Sequence, residues 1–310
     1  MKRYVDALKG QSEPPWVIDK LLLAKCGSLV SAHPHSMKSL SWLYACMEAP
    51  VTGQVFGHFA APNIKKTLFI ETEDPDWMVE SRIRGFAEGL GLKNENDIPG
   101  FYYICPGPFN LVSIEGELDK LFASFKPDFA VLSTLQNLLA GRAMSRSEDM
   151  QPVHAVILSL TRKYCPIVLI THSPWDKEIK RAVGSVTQTA DYAVTSHYTK
   201  NGNVVSVKLD SKMRGEESFK LRLETEDKEV RRIVYQGDVA VYGEGREKVL
   251  REIGIDPTAS PKVIAARAGV GERYAREIIN DLAAEHVGTE FPSTLAAEQV
   301  EQVPKSIVCH

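Results

Sequence analysis

Five short apolar runs recur between residues 28 and 196, at Ser28–Ala32, Thr67–Glu71, Phe101–Ile104, Phe129–Leu132 and Ile167–Thr171. Each is rich in β-branched or aromatic side chains and bounded by Gly, Pro or charge, and the intervals are long enough for helices. Those intervals carry apolar residues at helical spacing: Leu40, Leu43, Cys46 and Met47 within Ser39–Ala49, Ile83, Phe86 and Leu90 within Trp77–Leu90, and Val156, Ile157 and Leu160 within Val153–Tyr164. Continuous apolar strands joined by helical crossovers predict a mostly parallel sheet flanked by helices, an α/β layer sandwich of right-handed connections. After Ala190 the texture changes to short alternating strands, Tyr192–Thr195, Val204–Leu209, Phe219–Leu223 and Val230–Tyr235, with turn residues such as Asn201-Gly202-Asn203 between them. This predicts an antiparallel extension of the sheet.

A chain of 310 residues accommodates about two domains. Hydrophobic residues at 44% and charged residues at 25% exclude long disorder and a membrane-solvating composition. No apolar stretch is long enough to span a bilayer, and MKRYVDALKG lacks the apolar core of a secretory signal, so no membrane association and a cytoplasmic location are expected. The cysteines (Cys26, Cys46, Cys105, Cys165 and Cys309) are odd in number and scattered, which fits reduced, mostly buried thiols. A net charge of −3 gives no global pull toward nucleic acid.

The first run leads into Ala32-His33-Pro34-His35-Ser36-Met37-Lys38-Ser39 and then into an amphipathic helix. Lys-Ser stands where a Walker A phosphate-binding loop ends: backbone N–H groups cradle phosphates, the lysine neutralises them, and the hydroxyl ligates Mg²⁺. Ala32 and Met37 occupy the two glycine positions of that pattern. A methionine before the lysine is therefore expected to crowd either a left-handed backbone or the phosphate. His33 and His35, together with His172, also raise the alternative of an anion or metal site.

The order of elements over about residues 14 to 236 resembles the RecA-like ATPases, and within them the RepA-type hexameric replicative helicase family. The stretches that carry the resemblance are LVSAHPHSMKSLSWLYACMEAPVTGQVFG, TLFIETEDPDWMVESRIRGFAEGLGL, KPDFAVLSTLQNLLAG, PIVLITHSP, RAVGSVTQTADYAV and VKLDSKMRGE. The resemblance implies a RecA-like P-loop NTPase core and a homo-oligomeric, hexameric ring that acts with ATP and Mg²⁺ in DNA replication or mobile-element maintenance. It places the nucleotide on residues 32 to 39, the water-orienting glutamate at Glu73 and the sensor histidine at His172. Ser39 takes the metal-ligating hydroxyl, and Lys212 and Arg214 take the basic finger given to a neighbouring subunit's nucleotide. Ser133 stands where the family keeps its Walker B aspartate, and a serine there brings no negative charge to the metal. Loss of one such electrostatic group, at ~2 to 4 kcal/mol, slows turnover ~30- to 1000-fold. Weak or lost ATP hydrolysis is the expectation, and a catalytically inactive ring-forming or DNA- or protein-binding adaptor is the alternative.

Residues 241 to 290 predict a small C-terminal winged-helix or helix-turn-helix-like domain, beyond a core domain of residues 1 to 240. Helices are expected at Glu244–Glu252, at Ser260–Ala268 with Ser260 as N-cap and Pro261 in the first turn, and at Glu272–Glu285. Residues 291 to 310 predict a flexible tail. Arg273, Tyr274 and Arg276 open the third helix, where DNA-reading side chains would sit, although seven basic residues meet nine acidic ones between Glu244 and Glu290. Packing against a protein partner is the competing role for this domain.

Overall fold

A computed structural model describes residues 15–92, 98–139, 147–172, 192–239, 244–256, 259–273, 275–276 and 278–279. The chain forms two compact units, Met1–Ala240 and Val241–His310.

In the first unit β1 (Trp16–Ile18) and β2 (Leu22–Leu23) form a small hairpin ahead of β3 (Gly27–Ala32) and α1 (Lys38–Thr52). A second small hairpin, β4 (Gln54–Val55) with β5 (Phe59–Ala60), precedes β6 (Thr67–Glu71), α2 (Asp76–Gly89) and β7 (Phe101–Ile104). Then come α3 (Glu115–Phe125), β8 (Phe129–Ser133), a 3-10 turn at Leu135–Leu138, α4 (Ser147–Lys163) and β9 (Ile167–His172). The last strands are β10 (Val194–Asn201), β11 (Val204–Ser211), β12 (Gly215–Glu226) and β13 (Glu229–Asp238).

Nine strands make one mixed sheet in the order β13-β12-β11-β10-β3-β9-β8-β6-β7. The stretch from β10 to β7 is parallel, whereas β10 to β13 are antiparallel. Alternation along the central strands divides the core in two. Val30, Phe69, Val131 and Val168 face one layer with Trp42 of α1 and Phe86 of α2, while Leu29, Leu68, Leu132 and Leu169 face the other with Phe122 of α3 and Ile157 of α4. Burial on both faces is why these strands read as unbroken apolar runs.

The expected strands are all present, and the antiparallel ones run longer than their apolar cores. Tyr192 lies just outside β10, buried, with its hydroxyl 2.7 Å from His154 Nδ1. Residues 173–191, which include most of the RAVGSVTQTADYAV stretch, lie outside the described residues.

The antiparallel arm returns to the main body where β13 packs on α2. Gly89 makes the approach: a Cβ there would stand 1.9 Å from Arg231 O, and one at Gly85 would stand 3.2 Å from Arg231 Nη1. Arg231 ties the contact down by pairing with Glu88 at 2.7 Å and Glu229 at 3.3 Å.

The second unit contains α5 (Glu244–Ile255) and α6 (Pro261–Ala268) around a small core of Val249, Ile264, Ala265, Ala268, Ala275 and Ile278. Ser260 caps α6 by accepting from Val263 N–H, Pro261 occupies its first turn, and Gly269 ends it at φ 67°. Of the expected third helix, residues 272–273, 275–276 and 278–279 are helical. Its remainder and the expected tail lie outside the described residues. Among the described residues no helix is long and apolar enough to cross a membrane.

Candidate functional site

The parallel strands β3, β6, β8 and β9 all end at the same edge of the sheet, where ligands of open α/β sheets bind. Ala32, the last residue of β3, is extended and fully buried, in register with His172 on β9 and Tyr198 on β10. It needs no glycine. The loop that follows turns through two left-handed residues, His35 at φ 60° and Met37 at φ 67°, and α1 starts at Lys38. Ser36 is buried, and its hydroxyl donates to His33 O.

The expected conflict at Met37 resolves toward the backbone: the residue takes the conformation a glycine would take, and its thioether packs against the core cluster beside α1. No side chain caps α1, so its first N–H groups face the cleft uncapped. A left-handed L-residue costs roughly 1–2 kcal/mol, which gives this geometry a stability signature. Met37→Gly should be more stable to denaturant than Met37→Ala by roughly 1–2 kcal/mol, the reverse of the order in a helix interior. Equal stability, or greater stability of the alanine variant, would contradict the left-handed turn.

Lys38, His172 and Glu73 form a chain across the loop. Lys38 is 4% exposed, and its Nζ lies 2.9 Å from His172 Nδ1, while His172 Nε2 lies 3.3 Å from Glu73 Oε2. An ammonium only donates, so Nδ1 accepts, and the imidazole proton on Nε2 is donated to the Glu73 carboxylate. That hydrogen bond, helped by the Lys38 and His35 charges, holds the Glu73 carboxyl below its usual range against the opposing effect of burial. Burial pushes the Lys38 ammonium down to about 8, and the attraction of Glu73 and Glu71 offsets part of that shift.

On the other side of Lys38, Ser39 Oγ and Ser133 Oγ are hydrogen-bonded at 3.0 Å. Ser133 ends β8 in register with Glu71, the last residue of β6. Glu71 is 2% exposed. Its Oε1 accepts from Thr72 N–H at 2.9 Å and Glu73 N–H at 2.8 Å. Burial raises the Glu71 carboxyl above its ordinary value, and the hydrogen bonds partly counter it. Two hydroxyls and one carboxylate offer oxygen atoms of the kind a Mg²⁺ ion carried by a polyphosphate takes, directly or through water.

The histidines do not form a metal centre. His33 stands edge-on to His197, ring centroids 6.3 Å apart, and both nitrogens of His172 are engaged. Among the described residues no group of three or more His, Cys, Asp or Glu side chains is placed to hold a metal ion.

Lys38, Ser39, Glu73 and His172 open onto a cleft of about 540 Å³. Its near wall is the loop from Pro34 to Leu40, with Glu73 and His172; Met78 and Arg82 of α2 and Glu229 and Val230 of β13 form the far wall. Asp74 and Arg82 pair across its floor. Residue patterns do not single out Gln136, yet its amide donates to Thr171 Oγ1 and to His172 O, both at 3.3 Å, and so fixes the tip of β9. Asn137 does the same for the loop after β6, donating to Thr72 O at 2.9 Å.

The remaining expected site residues lie elsewhere. Lys212 and Arg214 occupy the turn between β11 and β12 and do not line the cleft. Arg214 stands 3.5 Å from Asp19 Oδ1 and over the Trp16 ring at 5.3 Å, and the Lys212 N–H donates to Ala193 O. In the second unit Arg273 and Arg276 are exposed, Arg276 pairs with Glu272 one turn earlier at 2.9 Å, and Tyr274 lies outside the described residues. No known protein-family model matches the chain, and comparison with curated proteins gives no match.

Proposed function

We propose that the cleft binds a nucleoside triphosphate, ATP by resemblance, in a RecA-like ATPase of the RepA type whose hydrolysis is weak or lost. The observation that carries this reading is the loop. It adopts a left-handed turn at Met37 without glycine, and it delivers a buried lysine and an uncapped helix N-terminus to one cleft. An ordinary helix start has no reason to hold a lysine ammonium inside the protein against the cost of its burial. In this reading phosphates displace His172 from Lys38, the first N–H groups of α1 cradle them, and Mg²⁺ accompanies them at Ser39. Glu73, hydrogen-bonded to His172, is the carboxylate that would accept from the attacking water in this reading. The metal position lacks the aspartate that would stabilise the charge developing in the transition state, so binding outlasts turnover.

A hexameric ring, with Arg214 reaching a neighbour's nucleotide, belongs to the same proposal. So does DNA contact through Arg273 and Arg276. The adaptor reading is favoured by Ser133, because it leaves a surface that assembles while the chemistry fails.

Titration with a fluorescent ATP analogue tests the proposal. The wild-type protein is expected to bind saturably and Lys38→Ala to bind ~10- to 100-fold more weakly, the effect of one charged hydrogen bond to phosphate. Because the free Lys38 ammonium titrates at about 8, binding should also weaken as the pH rises from 7 to 9. No saturation at millimolar nucleotide, or equal affinity for Lys38→Ala, would remove the nucleotide site.

A further inference from the structure

Glu71 is a buried carboxylate that the proposed hydrolytic set does not use. Its Oε1 turns back over the end of its own strand to the Thr72 N–H at 2.9 Å and the Glu73 N–H at 2.8 Å, with the Asp74 N–H 3.5 Å away. Thr72 is held a second time by β8 and the turn after it: its N–H donates to Ser133 O at 2.6 Å, its hydroxyl to the same oxygen at 2.8 Å, and its carbonyl accepts from Asn137. One residue further on, the turn rests on the carboxylate. The Glu73 side chain is half exposed and reaches His172 Nε2 over 3.3 Å. A single contact of that length, open to water, does not hold a flexible side chain in one direction. The direction is set by the backbone that carries it, and the Glu73 N–H is given to Glu71.

We infer that Glu71 is a positioning residue: by accepting the Thr72 and Glu73 amides it fixes the turn after β6 so that the Glu73 carboxylate faces His172 and, behind the imidazole, Lys38. The use of that carboxylate toward an attacking water rests on the nucleotide reading, whereas its aiming does not. What the turn needs from residue 71 is an acceptor of the right reach, and charge is not part of it. A side-chain amide oxygen accepts the same two N–H groups, so Glu71→Gln keeps the turn. Glu71→Met has the same length and no charge, but its thioether is only a weak acceptor, so it releases the turn. The two variants match in charge and nearly in size, and they differ in the hydrogen bonds.

The test is the titration of Lys38 in the full-length protein without nucleotide, followed by NMR of ¹³C-labelled lysine, the Lys38 signal being the one missing from Lys38→Met. Of the two carboxylates whose attraction keeps a proton on Lys38 against its burial, Glu73 acts the more strongly. Lys38 is therefore expected to hold its proton ~3- to 30-fold more weakly in Glu71→Met than in Glu71→Gln, as Glu73 swings to solvent. In a Glu73→Gln background the same two substitutions should leave Lys38 alike, because no carboxylate remains to be aimed. Equal titration of Lys38 in Glu71→Gln and Glu71→Met, or a difference of the same size in the Glu73→Gln background, would overturn the inference. Should Glu71→Met fail to fold by circular dichroism, amide exchange of the wild-type protein decides. The Glu73 N–H is expected to exchange at least ~10-fold more slowly than an unbonded amide, and free exchange would overturn the inference. None of these measurements uses nucleotide, so a failed titration with the ATP analogue removes the nucleotide site without deciding the role of Glu71.

Discussion

Lys38→Met should unfold at a higher denaturant concentration than the wild-type protein at pH 7 while losing nucleotide affinity. Burial drives the Lys38 ammonium down to about 8 from an ordinary value of 10.5. Below pH 8 the lysine is protonated both folded and unfolded, so the fold carries the whole cost of holding that charge, on the order of 3 kcal/mol. Methionine fills similar space without the charge, and a gain of roughly 1–3 kcal/mol is expected at pH 7. The sign of the pH dependence follows. Between about pH 8 and 10.5 the folded wild-type protein has shed a proton that the unfolded chain still binds, so wild-type stability rises with pH and the gap to the variant closes. Denaturant melts of both proteins at pH 7 and pH 10 measure it. A variant less stable than wild type at pH 7 would make Lys38 a structural residue.

Gly89→Ala is expected to destabilise the protein by about 3 kcal/mol or more. The added methyl would stand 1.9 Å from Arg231 O and 2.7 Å from Arg231 C, and no rotamer change relieves a clash with backbone. The helix α2 and strand β13 must part, and β13 carries Glu229 and Val230 of the cleft's far wall. Gly116, in α3, has no atom within 4 Å of such a methyl. Gly116→Ala should therefore gain roughly 0.5–1 kcal/mol from helix propensity alone, so the same chemical change has opposite signs at the two positions. Denaturant midpoints of the two variants decide this, and a Gly89→Ala protein as stable as wild type would mean that α2 and β13 do not touch as described.

The two positions also mark how much of the molecule can be read along the chain. Runs such as Phe129–Leu132 and Ile167–Thr171 announce their strands because both faces are buried, and Ser260, Pro261 and Gly269 announce the ends of α6 because capping is local chemistry. The helix α3 does not stand out to the same degree. It is short, acidic at its start, and buries only Leu118 and Phe122.

Within the site, Lys38, Ser39, Glu73 and His172 are legible from their positions at strand and helix ends, and the structure brings them to one cleft. The backbone of the loop is not legible: His35 and Met37 take positive φ with side chains other than glycine, His35 in an exposed position and Met37 packed against the core. Glu71 reads as one acid among Glu73, Asp74 and Asp76, and its distinction is burial beside Ser133 on the neighbouring strand. Such a pairing is a property of sheet register, which no local pattern encodes.

The claim on which the account turns is that residues 33–39 hold a phosphate-binding shape without glycine. A crystal structure with a non-hydrolysable ATP analogue and Mg²⁺ tests it most directly. The account predicts phosphate oxygens cradled by the N–H groups at the start of α1, with Lys38 Nζ turned from His172 to the phosphates and Met37 still left-handed. A cleft without nucleotide at saturating concentration, with Lys38 still on His172, would contradict it.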